Sequence, residues 1–186
     1  MAKIGLQNFL FGLLTEATDG TPTYGEGIKP GRAISCNVSI TNNDAKLDAD
    51  DVIAEADTSF QNGSVTLGVD DDDLETMAIL LGHEITDGEI VRSSMDVAPY
   101  VGLGRIVTKL VGGVHKYKVE FLCKVKFAEP SQEDTTKSSD GIEFGTYELE
   151  GVISTLANGD WSKANTFDTI DEAKEYLNSL FGSASE

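Results

Sequence analysis

The chain has 186 residues, 40% of them apolar, with one tryptophan and two cysteines. That is enough for one domain able to take about 70% of its unfolded surface out of water without disulfide or metal staples. Lys and Arg number 14 against 32 Asp and Glu, a formal net charge of −18, and such a body repels phosphate backbones, which argues against a general nucleic-acid binder. Two cysteines, no leader-like apolar region with a small-residue cleavage site, and no apolar run near about 18 residues predict neither a secreted disulfide framework nor a membrane span, so synthesis is expected in the cytosol.

In chain order, residues 20–31 are rich in Gly and Pro and cannot form a regular element for long. Ile34, Cys36, Val38 and Ile40 alternate with Ser35, Asn37 and Ser39, the period of a strand. Residues 41–60 carry Asp44, Asp48, Asp50, Asp51, Glu55 and Asp57 against the single Lys46, and read as an exposed acidic loop. Asn62-Gly63 reads as a turn, followed by a short strand over 64–69. A helix then fits Asp70 to Asp73 as N-terminal caps, an apolar stripe of Leu74, Met77, Ala78 and Leu81, and Gly82 as the stop.

The strongest signal comes next. Residues 99–111 read as a strand, Gly112-Gly113 as a hairpin turn, and residues 114–127 as a long strand. In that strand His115, Tyr117, Val119, Phe121, Cys123, Val125 and Phe127 alternate with Lys116, Lys118, Glu120, Leu122, Lys124 and Lys126, so one face is apolar and the other charged. Such a length exceeds the usual strand of about 5–6 residues, which predicts either a bulge or a projection beyond the domain. Residues 130–140 are polar and aperiodic, residues 142–153 give a further strand with Gly145 and Gly151 as bulge candidates, and Thr169 with Glu172 has capping-box spacing ahead of Ala173, Tyr176, Leu177 and Leu180, with Gly182 as the end. The expected fold class is mainly β: an antiparallel β-sandwich or barrel-like core over residues 1–161, with one flanking α-helix, and a C-terminal helical appendage over residues 162–186.

The Asp70 to Asp73 run lacks the Gly and Glu positions of a calcium loop, and carboxylates at a helix start are accounted for by its dipole. His83, His115, Cys36 and Cys123 have no zinc-ligand spacing, and the two cysteines on apolar strand faces read as buried thiols rather than nucleophiles. No G-x-S-x-G is present, and Gly102-Leu103-Gly104 lies within a strand, as a bend or a close approach does, not between strand and helix. No catalytic residue, cofactor or metal is therefore assigned. The stripe of Lys116, Lys118, Lys124 and Lys126 is the one basic patch and lacks aromatics for base stacking, leaving a solvated strand face or a docking surface for acidic loops of a neighbouring subunit.

The order of features resembles one family. It runs from Ile4-Gly5-Leu6 and Thr23-Tyr24-Gly25 through Ala49-Asp50-Asp51, Asn62-Gly63 and Leu80-Leu81-Gly82 to Pro99-Tyr100-Val101-Gly102-Leu103-Gly104. It continues with Tyr117-Lys118-Val119, with Lys124-Val125-Lys126-Phe127-Ala128-Glu129-Pro130, and with Phe144, Leu149, Glu150 and Gly151. In this order, over roughly residues 4–161, the chain is similar to the major tail proteins that build the tail tube of long, non-contractile-tailed phages. The resemblance implies a structural virion protein, not an enzyme, that stacks as hexameric rings into a conduit for the genome. It also implies a tape measure protein, a tail terminator and distal tail proteins as partners, passage of DNA without specific binding, no membrane, and residence in the virion after synthesis in a bacterial cytoplasm. In this family the acidic loop corresponds to the segment that reaches the adjoining ring, so Asp44, Asp48, Asp50, Asp51, Glu55 and Asp57 join the four lysines as candidate inter-subunit contacts. Two alternatives remain: a tube or ring protein of a contractile tail or secretion machine, and a monomeric acidic-loop binding module.

Overall fold

The structure, a computed structural model, describes residues 2–49, 52–70, 73–130 and 147–182. Its strands are β1 (Ala2–Glu16), β2 (Pro22–Tyr24), β3 (Ala33–Asn42), β4 (Ala45–Ala49), β5 (Val52–Asp57), β6 (Phe60–Val69), β7 (Glu84–Thr86), β8 (Glu89–Val91), β9 (Val101–Val111), β10 (Val114–Phe127), β11 (Tyr147–Ile153) and β12 (Ser162–Phe167). The helices are α1 (Leu74–Leu81) and α2 (Ile170–Ser179). The fold is mainly β and antiparallel, as expected. One sheet runs β2-β1-β9-β10-β11-β6-β3, with β12 added beside β10. The segment after β2 returns to β1, where Phe11 and Ile28 exchange backbone hydrogen bonds of 2.9 and 2.7 Å.

β10 organises the sheet because it is long enough to hold two neighbours on one edge. Its first half pairs with β12 from Tyr117↔Phe167 to Leu122↔Ser162, and its end pairs with β11 from Val125↔Ile153 to Phe127↔Gly151. Between them lies a bulge: against β9, Leu122 faces Leu103 but Val125 faces Val101, one residue more on β10 than on its partner. The extra residue reverses the facing of everything after it. Tyr117, Val119, Phe121 and Cys123 accordingly pack in one apolar cluster with α2, whereas Leu122, Val125 and Phe127 pack in the other with α1. The regular alternation in the sequence thus spans two faces of the sheet, not one.

Both helices cover core. Asp73 caps α1, its carboxylate accepting from the Thr76 N–H at 3.0 Å, and Gly82 ends it in the left-handed conformation at φ 77°. Met77, Ala78, Leu80 and Leu81 are buried, while Leu74 is exposed. Asp70 does not cap the helix; it binds Arg32, through the backbone N–H at 2.8 Å and Nε at 2.5 Å. Thr169 and Glu172 form the capping box of α2, which buries Ala173 and Leu177, with Phe181 just beyond it, against the β9–β10 side of the sheet.

Four expectations need correction. Residues 41–60 are not an irregular loop: β4 and β5 pair from Ala45↔Asp57 to Ala49↔Val52 and form a hairpin continuing the β3–β6 ladder, joined by the Asn43 N–H donating to the Ser59 carbonyl at 2.8 Å. Asn62-Gly63 lies inside β6, opposite Thr41 and Ile40; the glycine serves packing, since a Cβ there would stand 3.0 Å from Ile40 Cδ1 and 3.2 Å from Ile153 Cδ1. Gly151 pairs in unbroken register with Val65 and Phe127 and is no bulge; a Cβ would meet Val125 Cγ1 at 2.9 Å. The C-terminal segment is no detached appendage, because β12 joins the sheet and α2 buries core residues. Gly145 and the stretch 131–146 lie outside the described residues, as do Asp71 and Asp72.

Candidate assembly surfaces

The bulge in β10 splits the lysine stripe. Lys116 and Lys118 precede it, on the side of Leu122; Lys124 and Lys126 follow it, on the opposite side from Val125 and Phe127. Each has a partner within the chain. Lys116 pairs with Asp168, Lys118 donates to Glu120 Oε1 at 2.5 Å, and Lys124 donates to Glu16 Oε2 at 2.5 Å. Glu16 also accepts from the Ala157 N–H at 3.1 Å, and these two contacts hold its carboxyl below the usual range. Lys124 and Lys126 lie with Nζ 4.7 and 5.4 Å from the centre of the Tyr100 ring, one aromatic ring shared by two cations. The four lysines therefore do not form one free basic face, and their first electrostatic role is inside the subunit.

The acidic residues are placed as follows. Asp44 and Asp57 are exposed at the base of the β4–β5 arm. Asp57 accepts from the Ser59 N–H at 2.9 Å, and that bond keeps its carboxyl below the ordinary value. Asp48 stands opposite Ile53 in β4, Glu55 opposite Leu47 in β5, and Asp50 and Asp51 lie outside the described residues. Among the described residues the arm's strands pair only with each other, beyond the end of the β3–β6 ladder. Among the exposed apolar side chains of the same chain, two groups are close in sequence. Ile85, Val91, Met95 and Val97 lie on and after the β7–β8 hairpin, with Met95 84% exposed; Leu110, Val111 and Val114 lie at the β9–β10 turn.

One cluster was not singled out by sequence reasoning. The His83 side chain, 7% exposed, has Nδ1 2.7 Å from Asp96 Oδ2 and Nε2 2.9 Å from Glu129 Oε2. Arg92 Nε meets the other Glu129 oxygen at 2.9 Å, and the Ser93 N–H donates to Asp96 at 2.8 Å. Burial disfavours the imidazolium, but the bonds to Asp96 and Glu129 outweigh it and raise the pKa above that of a free histidine. When protonated, the ring donates from both nitrogens, one to each carboxylate, and ties the end of α1 to the segment after β8 and the segment after β10. No spacing of 13 and 46 residues could have announced it.

Cys36 is half-buried in one apolar cluster and Cys123 fully buried in the other, on opposite sides of the sheet, and burial pushes both thiols up. Among the described residues, no group of three or more His, Cys, Asp or Glu is arranged to hold a metal ion, and no helix is long and apolar enough to cross a membrane. No protein-family model matches the chain, and no curated protein matches it significantly.

Proposed function

We propose that the chain is a structural, self-assembling protein of the major tail protein kind, which stacks as hexameric rings into the tail tube of a phage virion. The observation that carries this reading is the β4–β5 arm. A two-stranded hairpin is marginally stable alone in water, and this one continues the β3–β6 ladder without joining another sheet. Such an arm gains stability by lying on another surface, and an adjoining ring supplies one. The exposed apolar groups at the β7–β8 and β9–β10 ends are further area that neighbours in a ring would cover. In this reading the tape measure, tail terminator and distal tail proteins are its partners and DNA passes without specific contact. The order of sequence motifs over residues 4–161 supports the same assignment.

Negative-stain microscopy of the purified chain at high concentration tests it, with rings or tubes expected. A variant in which a short turn replaces residues 45–57, closing the ladder at the existing Asn43–Ser59 pair, should stay folded and form no tubes. A chain that remains monomeric at every concentration, alone and with tail-assembly partners, removes the reading.

A further inference from the structure

Arg105 and Glu120 are register partners on β9 and β10, and Lys118 stands two residues before Glu120 on the same face. Glu120 Oε2 accepts from Arg105 Nε at 2.9 Å and Nη2 at 2.5 Å, Oε1 accepts from Lys118 Nζ at 2.5 Å, and Arg105 Nη1 donates to the Cys36 carbonyl at 2.9 Å. The three side chains are only 13%, 21% and 27% exposed for Arg105, Glu120 and Lys118. Two cations and one carboxylate leave this group with a formal charge of +1, drawn largely out of water inside a protein of net −18. These bonds use three of the guanidinium's five N–H groups and one of the ammonium's three.

The group lines a cavity of about 270 Å³ whose other walls include Val38, Leu122 and Trp161. That is the liquid volume of about nine water molecules. A half-buried surplus charge with spare donors is costly until an anion meets it. Lys163 also lines the cavity, but it is the register partner of Phe121, which packs on the opposite face of the sheet. The surplus of the bonded group is one, which matches a monoanion; a phosphate dianion would bring a second charge against Glu120. A planar carboxylate also fits the guanidinium fork and the ammonium together.

We propose that this cavity binds a carboxylate on a short apolar stem, with Lys118 and Arg105 taking the charge and Trp161 and Leu122 covering the stem. The carboxylate comes either from a free small molecule or from an Asp or Glu side chain of a second copy. The inference goes beyond the tube reading and does not depend on it.

Trp161 is the only tryptophan in the chain, so its fluorescence reports from the cavity wall alone. Titration of the dilute full chain with benzoate should give a saturable change, and benzamide, the neutral counterpart, should give none. Lys118→Gln should weaken benzoate binding about tenfold or more, the loss of one charge-assisted hydrogen bond, and Lys118→Arg should restore it. No saturable change with benzoate, equal responses to benzoate and benzamide, or a Lys118→Gln chain that titrates like the parent overturns the proposal. The source is read by raising the concentration of ligand-free chain. A Trp161 signal that changes with self-association and is reversed by benzoate assigns the carboxylate to a second copy; in a chain that binds benzoate, a signal independent of concentration assigns it to a free small molecule.

Discussion

The Tyr24 ring lies so close over Gly102 that a Cβ on the glycine would stand 2.5 Å from both Cδ1 and Cε1, and 2.7 Å from Phe121 Cζ. Tyr24 meets Phe121 edge-on at 4.9 Å between ring centres and donates its hydroxyl to the Cys123 carbonyl at 2.9 Å. Gly102 is thus the floor on which two aromatic rings pack, which is why a strand otherwise rich in branched residues carries glycine there. Gly102→Ala should lower unfolding free energy by about 1–3 kcal/mol, the usual cost of overpacking a rigid core. Denaturant titration checks it, and an unchanged midpoint would show that the rings move aside freely.

Leu177 is 1% exposed and its Cδ1 lies 2.3 Å from where a Cβ on Gly104 would be. Together with Ala173 and Phe181 it closes the apolar cluster around Val119, Phe121 and Cys123. A peripheral helix would tolerate truncation of this side chain. Here Leu177→Ala should cost about 2–5 kcal/mol, the range for a leucine lost from a core. A loss under about 1 kcal/mol would show that α2 contributes little to the domain.

The His83 clamp sets a pH dependence whose sign is determined. Its folded pKa is raised above the unfolded value of about 6.5, so the stabilisation is complete below that value and is lost as pH rises through the folded pKa. Asp96, held low chiefly by the Ser93 N–H and then by His83, stays ionised throughout, and Arg92 also bears on Glu129. Thermal unfolding should therefore separate wild type from His83→Gln more at about pH 5.5 than at about pH 8.5. An equal gap at both would mean that the imidazolium adds nothing.

Much of this architecture was legible where one physical signal dominated. Alternation beginning after Gly112-Gly113 delimited β10, and the Thr169–Glu172 spacing announced α2. β1 escaped notice because Phe9 and Phe11 face one cluster and Leu10 the other, so burial on both sides erases the period of two. β12 escaped for the opposite reason: Ser162 to Thr166 are all exposed, and backbone pairing alone makes it a strand. The division of the lysines came from a single bulge at residues 123–124, which changes facing without leaving a mark in composition. His83, Asp96 and Glu129 meet only through tertiary folding.

The pairing of those lysines decides how any self-association should respond to salt. Lys116 lies on Asp168 and Lys124 on Glu16, and Glu120 is shared between Lys118 and Arg105, so the stripe offers a neighbour only a small surplus of positive charge, while each copy carries −18. Attraction between copies then rests on apolar area such as Val91, Met95 and Val97 and on the arm, and the long-range term is repulsive. Salt shortens the reach of that repulsion from about 30 Å at 0.01 M to about 8 Å at 0.15 M, and it leaves apolar burial nearly untouched. Association should strengthen as sodium chloride rises across this range, measured by sedimentation velocity at fixed protein concentration. Lys124→Glu, which sets a like charge against Glu16, should first destabilise the subunit itself. If instead the sedimentation coefficient falls as salt rises, opposite charges hold the copies together, and the lysines must exchange their internal partners for acidic residues of a neighbour.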